Sequence, residues 1–122
     1  MTHEEFEKKV MYKILDGKEE ILHVLKKQYE NAMVSSRQFT GCGFFTNFSV
    51  PDKLVDGKIN GRINDLMAKL NMPNEEFYFI LYITDGKIDT LEGFTTLDEW
   101  NQNYDLAQLE YFHQDRRELD IH

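Results

Sequence analysis

A single cysteine stands between two glycines, in the run Thr40-Gly41-Cys42-Gly43. A glycine-rich turn lets backbone approach a ligand closely and presents amide groups to it. Cys42 in such a turn is expected to be an accessible thiol. Nucleophilic work needs the thiolate, and so a base such as histidine beside it. The four histidines, His3, His23, His113 and His122, are scattered and stand in no recognisable motif. The run also lacks the length and the lysine of a P-loop. Its next residues, Phe44 to Phe48, read as a strand and not as a helix start. A tight turn or bulge with Cys42 as a small filler is the favoured reading.

Glu92, next to Gly93, is the second chemical candidate. Counting by twos puts Ile88, Thr90, Glu92 and Phe94 on one face and Asp89, Leu91, Gly93 and Thr95 on the other. Neither face is cleanly apolar, which points to a bulge at Gly93. A carboxylate beside a buried strand can have a raised pKa and act as acid or base. It can equally hydrogen-bond a neighbouring turn, and that structural role is favoured.

Other chemistry lacks its residues. There is no His-x-x-x-His or Cys-x-x-Cys pair, and Asp52 to Asp56 lacks the spaced oxygen ligands of an EF-hand. No Gly-x-Ser-x-Gly occurs. The expectation is no metal, no cofactor and no assigned catalytic residue. One cysteine excludes an intramolecular disulfide.

These residues must be positioned by a chain of 122 residues, one domain's length. With 9 Phe and 6 Tyr the core can be aromatic-rich, and wholesale disorder is excluded. The net charge of -8 argues against a phosphate-tracking nucleic-acid binder. The N-terminus is polar from the start and no apolar run approaches membrane-spanning length, so a cytoplasmic protein without a membrane role is expected. The charge is uneven. Residues 98–122 carry Asp98, Glu99, Asp105, Glu110, Asp115, Glu118 and Asp120 against only Arg116 and Arg117. That segment is either a solvated end or an anionic face for a basic protein partner.

Thr2 and Glu5 form a capping-box pattern, and Phe6, Val10 and Ile14 make an apolar stripe, so a first helix is expected up to Asp16-Gly17, with Gly17 as left-handed cap. A second helix is expected from about Lys18 to Asn31, burying Ile21, Leu22, Val24, Leu25 and Tyr29. His23 on it is expected to be a surface residue. Met33 to Phe39 and Phe44 to Val50 read as strands. Residues 59–71 fit both periods. Met72-Pro73-Asn74 is a turn, and Phe77 to Thr84 is a buried central strand. Asp85-Gly86 is the signature of a type I′ hairpin, with Lys87 to Thr95 returning. Leu97 to Asn103 is loop-like, Leu106 to His113 an edge strand or short helix, and the tail after Gln114 is expected to fray. The sum is a single α+β domain over residues 1–122, two N-terminal helices packed on one face of a mainly antiparallel sheet of about five strands.

Two stretches carry a resemblance. Phe39-Thr40-Gly41-Cys42-Gly43-Phe44-Phe45-Thr46-Asn47-Phe48 resembles a Phe-Thr-Gly-x-Gly-Phe-Phe-Thr-x-Phe pattern. Phe79 to Gly86, then Leu91-Glu92-Gly93-Phe94-Thr95 and Glu99-Trp100, resemble its companion. Together they are similar to a family of small, uncharacterised bacterial proteins with no assigned catalytic activity. The resemblance implies a strand over residues 66–71. The sequence departs from the pattern at Asn74-Glu75-Glu76 and at Asn101. Thr40, Gly41, Cys42, Gly43, Thr46, Glu92 and Trp100 lie in or beside these stretches and form the candidate binding set.

Two functions are expected. One is a non-enzymatic binding protein, specifically an immunity protein neutralising a basic toxin. The other is a small-molecule binder or small enzyme with a pocket around Cys42 and Glu92. A homodimer pairing exposed sheet edges is compatible with either.

Overall fold

The structure, a computed structural model, describes residues 1–55, 57–70, 75–97 and 99–122. Two helices come first, α1 (His3–Ile14) and α2 (Glu20–Asn31). Eight strands come after them: β1 (Met33–Thr40), β2 (Gly43–Ser49), β3 (Gly61–Ile63), β4 (Leu66–Lys69), β5 (Glu76–Thr84), β6 (Lys87–Thr95), β7 (Gln108–Tyr111) and β8 (Asp120–Ile121). The described pairings are antiparallel, in the order β1-β2-β6-β5. Beyond β5 the sheet divides. One end of β5 pairs with β3, which pairs with β8, and the other end pairs with β4, which pairs with β7. The α+β architecture is the expected one, but the strands among the described residues number eight, not about five. The surplus comes from rows broken by irregular residues, β3 from β4 at Asn64-Asp65 and β7 from β8 over 112–119. Pieces of two to four residues are too short to show a period.

The helix α1 starts as its capping residues dictate, with Thr2 Oγ1 accepting from the Glu5 amide at 3.2 Å. Its stripe of Phe6, Val10 and Ile14 is buried, together with Met11. Phe6 meets Phe77 and Phe79 of the sheet edge-on and tilted, at 6.3 and 5.9 Å. Its C-terminus differs from expectation. Leu15 is the cap, and the Ile14 and Asp16 carbonyls accept from the Arg117 guanidinium, a residue about a hundred positions away. The helix α2 begins at Glu20 and buries Leu22, Leu25 and Gln28. The Gln28 amide donates to the Gly86 carbonyl at 2.7 Å and accepts from the Ile88 amide at 3.0 Å, which pins α2 to the β5–β6 turn.

That turn is the type I′ hairpin expected of Asp85-Gly86, with φ of +50° and +79°. The expected bulge moves, however. Tyr82 pairs with Thr90 and Ile83 with Ile88, so the extra residue is Asp89 and not one at Gly93. The extra residue turns Ile88 onto the buried face with Leu91, Gly93 and Thr95. Gly93 sits opposite Phe44, whose ring lies where a Cβ on residue 93 would go.

The described residues 59–70 hold two strands and no helix, with Leu66 and Ala68 facing the core. Gln108–Tyr111 is a strand, preceded by a single 3-10 turn at Tyr104–Leu106. The tail after Gln114 is tied in. Arg117 pairs with buried Asp65, and the Asn60 and His122 backbones exchange hydrogen bonds at 3.0 and 2.8 Å. The turn expected at Met72-Pro73-Asn74, and residues Asp56 and Asp98, lie outside the described residues. Among the described residues no helix is long and apolar enough to cross a membrane.

Candidate functional site

Helices cover one face of the sheet, and both faces carry polar groupings. On the covered face, between α1 and strands β1 and β2, Glu7 is 3 % exposed. Its carboxylate accepts from Arg37 Nε at 3.1 Å, Arg37 Nη2 at 2.9 Å, Thr46 Oγ1 at 2.5 Å and His3 Nε2 at 3.2 Å. Arg37 and Thr46 are register partners on β1 and β2, so their side chains emerge together beneath α1. His3 lies one turn before Glu7, and its other nitrogen is 2.8 Å from the Tyr104 hydroxyl. That hydroxyl accepts from Trp100 Nε1 at 3.1 Å. With the His3 proton placed on Nε2 and the Tyr104 hydroxyl donating to Nδ1, every atom of the chain from Trp100 to Arg37 is satisfied.

Burial alone would raise the Glu7 pKa. The hydrogen bonds from His3, Arg37 and Thr46, with the Arg37 charge, outweigh it and hold the carboxyl at about 2. A base that weak, with four donors already upon it, does not accept a proton at neutral pH. The Tyr104 phenol is raised by burial, against the pull of the Trp100 hydrogen bond. The rings around this chain are close-packed. Trp100 stacks on Phe77 at 3.8 Å and meets Phe44 edge-on, and His3 wedges between Phe39 and Phe44. The grouping therefore joins helix to sheet.

The candidate binding set does not converge. Thr46 and Trp100 belong to this buried chain. Thr40, Gly41 and Cys42 form the exposed β1–β2 turn, where the Trp100 amide donates to the Gly41 carbonyl and the Thr95 amide to the Cys42 carbonyl. Gly43 is buried where β2 runs against Gly93. Cys42 is exposed, 4.0 Å from Thr40 Oγ1. Glu92 points to the other side of the sheet and accepts from the Tyr82 hydroxyl at 2.9 Å. His23 is exposed and bonded to the Gly17 carbonyl. Among the described residues no three His, Cys, Asp or Glu side chains gather as metal ligands.

The other side of the sheet is the more open one. Register partners line up there in rows: Glu110, Met67, Tyr78 and Phe94; then Ile80, Glu92 and Phe45; then Asp120, Arg62, Tyr82, Thr90 and Asn47. Phe112 meets Tyr78 edge-on. The described elements place no helix over this surface. Its carboxylates, Glu76, Asp89, Glu92, Glu110 and Asp120, outnumber its bases, Arg62, Lys69 and Lys87. Tyr78 and Tyr82 each donate a hydroxyl to a neighbouring carboxylate, Glu76 at 2.5 Å and Glu92 at 2.9 Å. A depression of about 510 Å³ opens between Phe45, Tyr82, Asp89 and Thr90.

The described acids of residues 99–122 do not form one face. Only Glu110 and Asp120 join the open sheet surface. Asp105 lies 3.5 Å from the N-terminal amine, and Glu118 pairs with His113 at 2.5 Å. Glu99 and Asp115 are exposed elsewhere, and Asp98 lies outside the described residues. Reading by sequence distance missed Glu7, His3, Arg37 and Tyr104. The available signal was a histidine and a glutamate one turn apart, just ahead of Met11 on the buried side of α1. No protein-family model, curated protein or solved structure matches the chain, so the resemblance rests on the quoted residues alone.

Proposed function

We propose that this chain is a non-enzymatic binding protein of the cytoplasm whose open sheet face receives a basic protein surface. The supporting observation is that face itself: Phe45, Tyr78, Tyr82, Phe94 and Phe112 among an excess of carboxylates, with no described helix over them. Aromatic side chains supply contact area at little entropic cost, and carboxylates beside tyrosine rings suit lysine and arginine. Charge of one sign on the face speeds encounter with a partner of the other sign and fixes its register. An immunity protein neutralising a basic toxin is the specific form of this reading.

The experiment immobilises the full chain and the Glu92→Lys/Glu110→Lys variant and exposes both to extract of the native host. A basic protein held by the first, lost from the second and released by salt supports the reading. Retention indifferent to the reversal, or none at all, overturns it. Growth arrest by the captured protein, relieved when the chain is co-expressed, identifies the immunity form.

A further inference from the structure

A concavity of about 720 Å³ lies along the outer stripe of α1. Residues 5, 8, 9, 12, 13 and 16 recur at helical spacing and share that stripe. Four lysines line the groove: Lys8, Lys9 and Lys13 from α1 and Lys26 from α2. Tyr12 lies among them. Among the described residues none of the four has a carboxylate within ion-pair distance, in a chain with 22 acids against 14 bases. The groove's own carboxylates stand at its two ends. Glu5 is drawn to the Thr2 hydroxyl at 3.2 Å, and Asp16 lies just past the helix C-terminus.

Two of the lysines are held in place. Lys26 lies over the Tyr12 ring at 5.6 Å, and Lys13 over the Tyr111 ring at 4.9 Å. Tyr111 is itself anchored, its hydroxyl donating to the Lys13 carbonyl at 2.5 Å. The concentrated positive charge is thus partly organised before any ligand arrives, and its volume suits a small molecule.

We propose that this groove binds a small ligand carrying several phosphate groups. The choice of phosphate over carboxylate rests on charge density: four ammonium groups around one groove match several negative charges packed in a small volume, and each phosphate brings more charge than a carboxylate. All four arginines, whose planar forks match carboxylates and phosphates alike, are spent on Glu4, Glu7, Asp65, Glu118 and Asp120 elsewhere. The groove offers only ammonium groups, compact charges that serve tetrahedral phosphate without a fixed fork. The choice of a small ligand rests on the rest of the surface. A long polyanion laid along α1 meets the field of a chain with net charge -8, whereas one that fits the groove meets the local lysines within a Debye length.

The test is an amide NMR titration of the full chain at about 0.15 M salt, using sodium tripolyphosphate, ATP and an oligoglutamate peptide as separate probes. Saturable shifts at the amides of residues 8–13 and 26 with the phosphate probes are expected. The Lys9→Gln/Lys13→Gln variant, with its fold checked by its own amide spectrum, is expected to weaken tripolyphosphate binding about tenfold. The Lys53→Gln/Lys58→Gln variant, which removes equal charge elsewhere, is expected to leave it unchanged. ATP binding more tightly and shifting the Tyr12 ring assigns a nucleotide, and equal binding assigns bare polyphosphate; either sustains the site. No saturable shift at roughly millimolar probe, equal loss in both variants, or oligoglutamate binding as tightly as tripolyphosphate overturns it.

Discussion

Glu7 and Arg37 face each other across the seam between α1 and the sheet, with Arg37 bidentate on a carboxylate that is 3 % exposed. A paired buried charge is secure only while its partner stays. Removing one partner leaves the other desolvated, at a cost of several kcal/mol.

Glu7→Gln therefore destabilises by about 3 kcal/mol. The amide keeps the shape but cannot accept from Arg37, Thr46 and His3 together without turning an N–H toward one of them. Urea unfolding followed by circular dichroism measures it. A change below about 0.5 kcal/mol, the range of ordinary surface substitutions, would show that the charge is idle.

The same carboxylate makes stability depend on acid. Its folded pKa is about 2 against an ordinary value of 4.5. The depressed value means that its contribution is complete above the unfolded pKa and is lost as pH falls from about 4.5 towards 2. The amount is on the order of 3 kcal/mol. Unfolding midpoints across that window are expected to fall steeply for the native chain and less steeply for Glu7→Gln. Parallel curves would refute the assignment.

Arg117 does for the chain's end what Glu7 does for its start. It pairs bidentately with buried Asp65, caps the Ile14 and Asp16 carbonyls and lies over the Tyr111 ring at 4.3 Å. Arg117→Met is expected to cost about 3 kcal/mol, because Asp65 is left buried and unpaired. Hydrogen exchange at the Glu118 and His122 amides is expected to quicken more than at β5 and β6, since the loss is local to the tail. Uniform quickening would mean that the pair supports the whole fold instead.

The legibility of the sequence tracks the range of the interactions. The α1 start and the Asp85-Gly86 turn were readable because their determinants lie within four residues of each other. The sheet's last rows were not, because β7 and β8 are short pieces whose places depend on β4 and β3. Arg117 reads locally as one more surface base in an acidic tail, and partners far earlier in the chain, Asp65 and the Ile14 and Asp16 carbonyls, give it its role. The candidate set had the same difficulty. Thr46 and Glu92 lie on neighbouring paired strands, yet strand alternation sends them to opposite faces, and the Asp89 bulge was needed to know which.

Cys42 is exposed in the β1–β2 turn, and only its backbone carbonyl, not its thiol, joins the turn to Thr95. Alkylation of the native chain is expected to be complete and to leave the unfolding midpoint unchanged. A thiol that reacts only after denaturation would place Cys42 in the interior.

Gly93 and Phe44 give the sharpest structural test of the two resembling stretches, since each stretch supplies one of the pair. The Phe44 ring lies over Gly93, fully buried, and meets His3 and Trp100 at its edges. Gly93→Ala forces the ring aside at a cost of about 1–3 kcal/mol. Phe44→Leu alone removes packing at a comparable cost but makes space for the methyl group. The two substitutions together are expected to cost less than their sum by more than about 0.5 kcal/mol, the coupling expected of residues in contact. Strict additivity would mean that glycine at 93 answers to the sheet backbone alone and not to the ring.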